Sequence, residues 1–155
     1  FNTPRGERAV LAKERDPVWT PPLWHYVEVA KKKEFRLVEL KRGREVMLGD
    51  SSRLVIRGDT VGQLRPDSIW IPIPPDEEIL FDETVFVPPI GTINRRIEGE
   101  LGKFKLDMGD GYLLHGTRDS TSIGTAATHG CIRVGDRDLE RIFKTVPVGT
   151  PVFIR

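Results

Sequence analysis

Long apolar runs are missing from this chain. No stretch of its 155 residues approaches the roughly 18 consecutive apolar positions that a membrane-spanning helix requires, which excludes such a span. A surplus of one charge is missing too: 24 Lys and Arg stand against 23 Asp and Glu, a formal net charge of +1. Proteins that grip nucleic acid usually carry a strongly basic face, so the balance argues against that partner. Lys31-Lys32-Lys33 is the only basic cluster, flanked by Glu28 and Glu34, and it reads as a solvated turn or strand end. Cysteine is nearly absent; the single Cys131 forbids an internal disulfide. In an exported protein a lone thiol needs a reason. The chain begins at Phe1 with no signal-peptide pattern, which reads as a processed or trimmed product and leaves targeting open.

Enough apolar sequence is present for a core: 38% of residues are apolar and 30% charged, outside the range of disordered chains. The length suits one domain over 1–155. Fifteen Gly and 12 Pro punctuate short runs of Val, Ile, Leu and Phe, so the sequence reads as mainly β. Strands are expected at 26–29, 35–40, 53–57, 68–72, 84–87, 102–106, 112–115 and 150–154. One helix is expected from Asp136, as its N-cap, through Leu139, Ile142, Phe143 and Val146, stopped by Pro147 and Gly149. A second short helix is expected at 6–13. Gly109-Asp110-Gly111 reads as a hairpin turn.

The chemically informative stretch runs from His115 to Val134. It holds two of the three histidines and the only cysteine. A strand leads into it and the expected helix follows, and loops carried on strands are where reactive groups tend to be mounted. A cysteine nucleophile needs a base or cation to populate its thiolate, and backbone N–H groups to receive an oxyanion. His115 could supply the first by folding back across the loop. Gly130, without a Cβ, lets a substrate carbonyl come close to the backbone. Arg133 shares the face of Cys131 in an extended segment and suits a carboxylate.

Blander readings stand beside these. A lone Cys is commonly a small buried hydrophobe, and a His at a strand end is commonly structural. His115, His129 and Cys131 could also be three zinc ligands, although a clear fourth is wanting. Trp19, Trp24, Tyr26 and Trp70 suit core packing at Pro-rich turns better than sugar stacking. His25 reads as structural, and Asp76-Glu77-Glu78 as a solvated loop.

Taken together, His115-Gly116-Thr117, Ser122-Ile123-Gly124 and Thr128-His129-Gly130-Cys131-Ile132-Arg133 resemble the signature of the L,D-transpeptidase catalytic domain, the YkuD family. Weaker likeness extends outwards through Thr3-Pro4-Arg5-Gly6, the Asp16–Pro22 segment (16–22), Pro88-Pro89-Ile90-Gly91-Thr92 and Gly99-Glu100-Leu101-Gly102. Nearly the whole chain is covered. Two departures are visible: the strands that usually precede the Thr-Pro-x-Gly turn are missing, and 31–86 is long enough to be an insertion or a lid.

The resemblance implies a mixed-sheet, mainly β catalytic fold with one or two short helices. It implies Cys131 as nucleophile, His115 as its base and the Gly116 carbonyl as the group orienting the imidazole, with Gly130 and Cys131 N–H groups as oxyanion hole. His129 would line the site, and Arg133 and Thr128 would meet substrate. The reaction implied is acyl transfer from peptidoglycan tetrapeptide stems through a thioester, without metal or cofactor. The acceptor would be a stem amine or a lipoprotein amine, carbapenems would acylate the thiol, and the setting would be a bacterial cell envelope. A carboxypeptidase with the same site, and a non-catalytic wall-binding module, are the rival expectations.

Overall fold

The computed structural model describes residues 3, 5–125 and 128–155. Pro4 of the Thr3–Gly6 motif (3–6), and Ala126 and Ala127 of the long loop, lie outside the described residues. The chain forms two compact units, Phe1–Trp19 with Glu98–Arg155, and Thr20–Ile97. Strands dominate both, as expected, with parallel and antiparallel pairings mixed.

The first unit begins with β1 (Gly6–Ala9), β2 (Ala12–Arg15) and β3 (Val18–Trp19). The helix expected at 6–13 is therefore two strands. Their partners are far along the chain and invisible to a local pattern: β1 pairs with the C-terminal strand, and β2 with a strand beginning at Phe104.

The second unit opens with α1 (Leu23–Lys33), where 26–29 had suggested a strand. Tyr26 and Val29 favour strands, but propensity is a weak prior. Tyr26 and Ala30 lie one turn apart on one face and are buried against Val85 and Val87, which decides for the helix. Lys31, Lys32 and Lys33 are its last turn rather than a strand end; cations there meet the negative end of the helix dipole. Glu34 stops it in the left-handed conformation, φ 59°.

There follow β4 (Arg36–Glu39), β5 (Val46–Met47), β6 (Arg53–Arg57), β7 (Thr60–Leu64), β8 (Trp70–Pro72), β9 (Ile79–Phe81) and β10 (Thr84–Val87). They make two sheets, β4-β10-β9 and the meander β5-β6-β7-β8. Leu40, Leu48, Leu54, Val61, Ile79 and Phe86 form the core of this unit. Buried Asn94, in the 3-10 turn Ile93–Arg95, accepts from Val61 N–H and donates to the Ile73 carbonyl. Trp70 lies flat on Gly62, where a Cβ would come within 2.3 Å of its ring, and Arg57 covers its plane. Tyr26 is thus buried and Trp70 half-buried within the unit, as expected, whereas Trp24, expected to pack likewise, is 38% exposed.

After β11 (Ile97–Glu98) the chain continues the first unit with β12 (Phe104–Asp107), β13 (Leu113–His115), β14 (Ile132–Arg133), α2 (Asp136–Thr145) and β15 (Pro151–Ile154). The sheet order is β14-β13-β12-β2. α2 lies where its apolar spacing predicted, with Leu139 and Phe143 buried against Val10, Phe104 and Leu106. Its N-cap is Gly135, not Asp136; Asp136 and Asp138 sit in the first turn, where the helix dipole favours them. Lys13 closes the other end, donating to the Phe143 and Val146 carbonyls at 2.8 and 2.9 Å.

Candidate active site

Every residue singled out for chemistry lies in the first unit, on the β12-β13-β14 sheet and the loop between β13 and β14. β12 and β13 form an antiparallel hairpin whose tip is Gly109-Asp110-Gly111, all three at positive φ. The expected turn is there. Arg8 pins the tip from outside, pairing with Asp110 at 3.1 Å and lying over the Tyr112 ring.

β13 ends at His115, which is only 4% exposed. β14 runs parallel to it, with Leu114 opposite Ile132 and His115 opposite Arg133. Parallel strands lie about 4.8 Å apart, and paired residues, like residues two apart on one strand, share a face. Cys131 immediately precedes β14, two residues before Arg133. The register therefore sets His115 and Arg133 side by side on adjacent strands. Cys131 is half-buried; its sulfur receives the Leu113 N–H and lies 3.8 Å from the Gly111 carbonyl. Those two backbone contacts were not foreseen, because they depend on strand register rather than residue type.

The intervening loop satisfies its own polar groups. Asp119 accepts from the Thr121 N–H and hydroxyl at 3.0 and 2.6 Å, which holds its carboxyl below the usual range. Ser122 and Thr125 hydroxyls donate to the carbonyls of Asp119 and Ser122. This is the structural use of the hydroxyl-rich sequence. Thr128, expected to meet substrate, donates its hydroxyl to the Cys131 carbonyl at 2.5 Å and so braces the cysteine from behind. His129 is half-buried, and Gly130 is buried at φ 109°, a conformation that favours glycine. The need for glycine there is thus in the backbone angle as well as in substrate approach.

The short contact between His115 Nδ1 and the Gly116 carbonyl, 2.5 Å, decides the tautomer. A carbonyl oxygen can only accept, so Nδ1 carries the proton and Nε2 keeps its lone pair. Burial pushes the His115 pKa below the ordinary histidine value; the bond to Gly116 and the Glu100 carboxylate oppose that shift, and the Arg133 cation adds to it. Burial pushes the Cys131 thiol up, against the Leu113 N–H and Arg133, which both favour thiolate. Both shifts favour the uncharged forms, a thiol at Cys131 and a neutral imidazole at His115. Arg133 Nε is buried and has no hydrogen-bond partner among the described residues, an arrangement a ligand oxygen would complete.

His115, His129 and Cys131 are not gathered as metal ligands. Among the described residues no group of three or more His, Cys, Asp or Glu is arranged to hold an ion. Among the same residues no helix is long and apolar enough to cross a membrane.

A profile of the L,D-transpeptidase catalytic domain, YkuD, matches residues 1–154. The chain belongs to the L,D-transpeptidase catalytic domain (YkuD) family. Among proteins similar to it is one named probable L,D-transpeptidase YbiS of Escherichia coli K12, 38% identical over 55 residues, which is 36% of this chain and 18% of that protein. Probable L,D-transpeptidase ErfK/SrfK of the same organism is 37% identical over 57 residues, 37% of this chain and 18% of the relative. A third, probable L,D-transpeptidase YcfS, is 46% identical over 43 residues, 28% of this chain and 13% of the relative. The matched segment thus spans less than a fifth of these relatives. Membership agrees with the mixed, mainly β fold and two helices. The motif that suggested the family from sequence is the same stretch that the β13–β14 register folds around His115.

Proposed function

We propose that this chain catalyses L,D-transpeptidation of peptidoglycan stems, with Cys131 as nucleophile and His115 as base. The observation that carries the reading is the His115 Nδ1–Gly116 carbonyl bond, which leaves the Nε2 lone pair free to take a proton; Cys131 stands two residues before Arg133, the strand partner of His115. In the first half-reaction the Cys131 sulfur attacks the carbonyl of the third stem residue while its proton passes to His115 Nε2. Gly130 and Cys131 N–H groups receive the oxyanion. Collapse breaks the peptide bond, the terminal D-alanine amine takes the proton from His115, and a thioester remains on Cys131. An acceptor amine then attacks the thioester, giving its proton to Nε2; the new amide forms and the sulfur leaves, recovering the proton. No metal or organic cofactor enters either step.

Arg133 is assigned to a stem carboxylate, which the partnerless buried Nε supports. His129 lines the site, and Thr128 acts by holding the Cys131 carbonyl. The partners that follow are tetrapeptide stems, with a stem or lipoprotein amine as acceptor, and the setting is a bacterial cell envelope. Carbapenems acylate Cys131 as donor mimics. Residues 31–86 are an insertion within the L,D-transpeptidase-like domain.

Mass spectrometry of products from a purified disaccharide-tetrapeptide tests this. A cross-linked dimer that has lost one D-alanine, absent with Cys131→Ala, is the expected result. A tripeptide monomer would instead make water the acceptor. No product together with no carbapenem adduct overturns the enzyme reading.

A further inference from the structure

Gly99-Glu100-Leu101-Gly102 forms a tight turn, with the Gly102 N–H donating to the Gly99 carbonyl at 3.0 Å, just before β12. It wraps the start of the active loop at three points. Glu100 acts electrostatically on His115, and Gly99 lies so close to Arg118 that a Cβ would come within 3.0 Å of Nε. The third point is the tightest. A Cβ on Gly102 would meet Gly116 Cα at 2.6 Å, Gly116 C at 2.9 Å and Thr117 N at 2.9 Å. Those atoms belong to the peptide whose carbonyl oxygen holds His115 Nδ1. From the other side, a Cβ on Gly116 would sit 3.1 Å from Gly102 Cα and 3.0 Å from Asp136 Oδ1. The two glycines are in backbone-to-backbone contact, and a methyl group on Gly102 has no flexible side-chain end to push aside.

We infer that Gly102 is a positioning residue for the acyl-transfer site: its bare backbone seats the Gly116 peptide so that the carbonyl locks one His115 tautomer. The inference rests on the reading of His115 as base. Left-handed φ alone, +70° at Gly102, gives a glycine a local reason to be there. The contact gives it a second reason, aimed at the imidazole. Adding a methyl group would rotate or displace the Gly116–Thr117 peptide and free Nδ1.

The test compares Gly102→Ala with Gly149→Ala. Gly149 has a similar left-handed φ, +91°, but open space around its Cβ position, so it carries the backbone strain without the collision. Two readouts are taken on each: the His115 tautomer by 15N NMR, assigned with His115→Gln, and the rate of carbapenem acylation of Cys131. Gly102→Ala is expected to show mixed His115 tautomers and acylation slowed roughly 10- to 100-fold, at or below the lower end of what losing a general base costs, with KM for the tetrapeptide little changed. Gly149→Ala is expected to keep one tautomer and the parent rate. If Gly102→Ala does not fold, Gly116→Ala probes the same contact without positive-φ strain and is expected to show the same two changes. A single Nδ1–H tautomer with parent acylation in whichever variant folds overturns the inference. Parent acylation in His115→Gln instead overturns the base assignment itself, a distinct failure.

Discussion

At His115 the Gly116 carbonyl fixes which ring nitrogen carries the proton, while burial lowers the pKa. A neutral imidazole at His115 and a neutral thiol at Cys131 set the pH behaviour. Alkylation of Cys131 by iodoacetamide should show a midpoint above the ordinary thiol value of about 8.5, because burial outweighs the Leu113 N–H and Arg133. A midpoint well below that value would mean a standing ion pair. His115, pushed below its ordinary value by burial, stays unprotonated into mildly acidic solution. The acid limb of carbapenem acylation should therefore lie below about 6.5, the unperturbed histidine value. Replacing His115 with Gln should slow acylation by roughly 100-fold or more, and replacing Cys131 with Ala should abolish it.

Two devices govern the helices at the scale of elements. α1 ends on Glu34 in the left-handed conformation, a position that glycine occupies without strain. Glu34→Gly should raise stability by about 0.5–1 kcal/mol, read as a higher denaturation midpoint at an unchanged m-value. α2 is closed by Lys13, whose ammonium satisfies two terminal carbonyls and lies 5.0 Å from the Phe143 ring centre. Lys13→Met keeps the stem and removes those bonds; about 1–2 kcal/mol should be lost. Urea denaturation would check it, and an unchanged midpoint would mean water replaces the lysine at no cost. The sheets were partly legible at this scale. Residues 53–57 and 84–87 alternate or run apolar between turn residues, and both are strands. α1 was not legible, because Tyr26 and Val29 carry strand propensity, and only burial against Val85 and Val87 outweighs it.

Across the whole molecule, proton linkage at the site sets a stability window. The unfolded chain protonates its histidine at the ordinary value, whereas folded His115 resists, so stability is lost as pH falls from about 6.5 towards the lower folded value. The opposite sign holds for Cys131. Its folded thiol keeps the proton after the unfolded one has lost it, so stability falls as pH rises above about 8.5. Thermal unfolding of the parent should show both slopes; His115→Gln should flatten the acid one and Cys131→Ala the alkaline one. Each unit also has its own core, around Leu54 in one and Leu139 in the other. Leu54→Ala and Leu139→Ala should each cost about 2–5 kcal/mol.

The sequence by itself determined the residue types and their order along the chain. The motif from His115 to Arg133 pointed to a cysteine site, the spacing of Leu139, Ile142 and Phe143 to α2, and glycine and proline to short strands, because these signals are local and periodic. Tertiary structure alone decided what long-range pairing controls. It made 6–13 two strands by supplying partners about 90 or more residues away. It set His115 opposite Arg133, two residues beyond Cys131, through the parallel register of β13 and β14. It also pressed Gly102 onto Gly116, since a close approach of two backbones leaves no trace in sequence beyond two glycines.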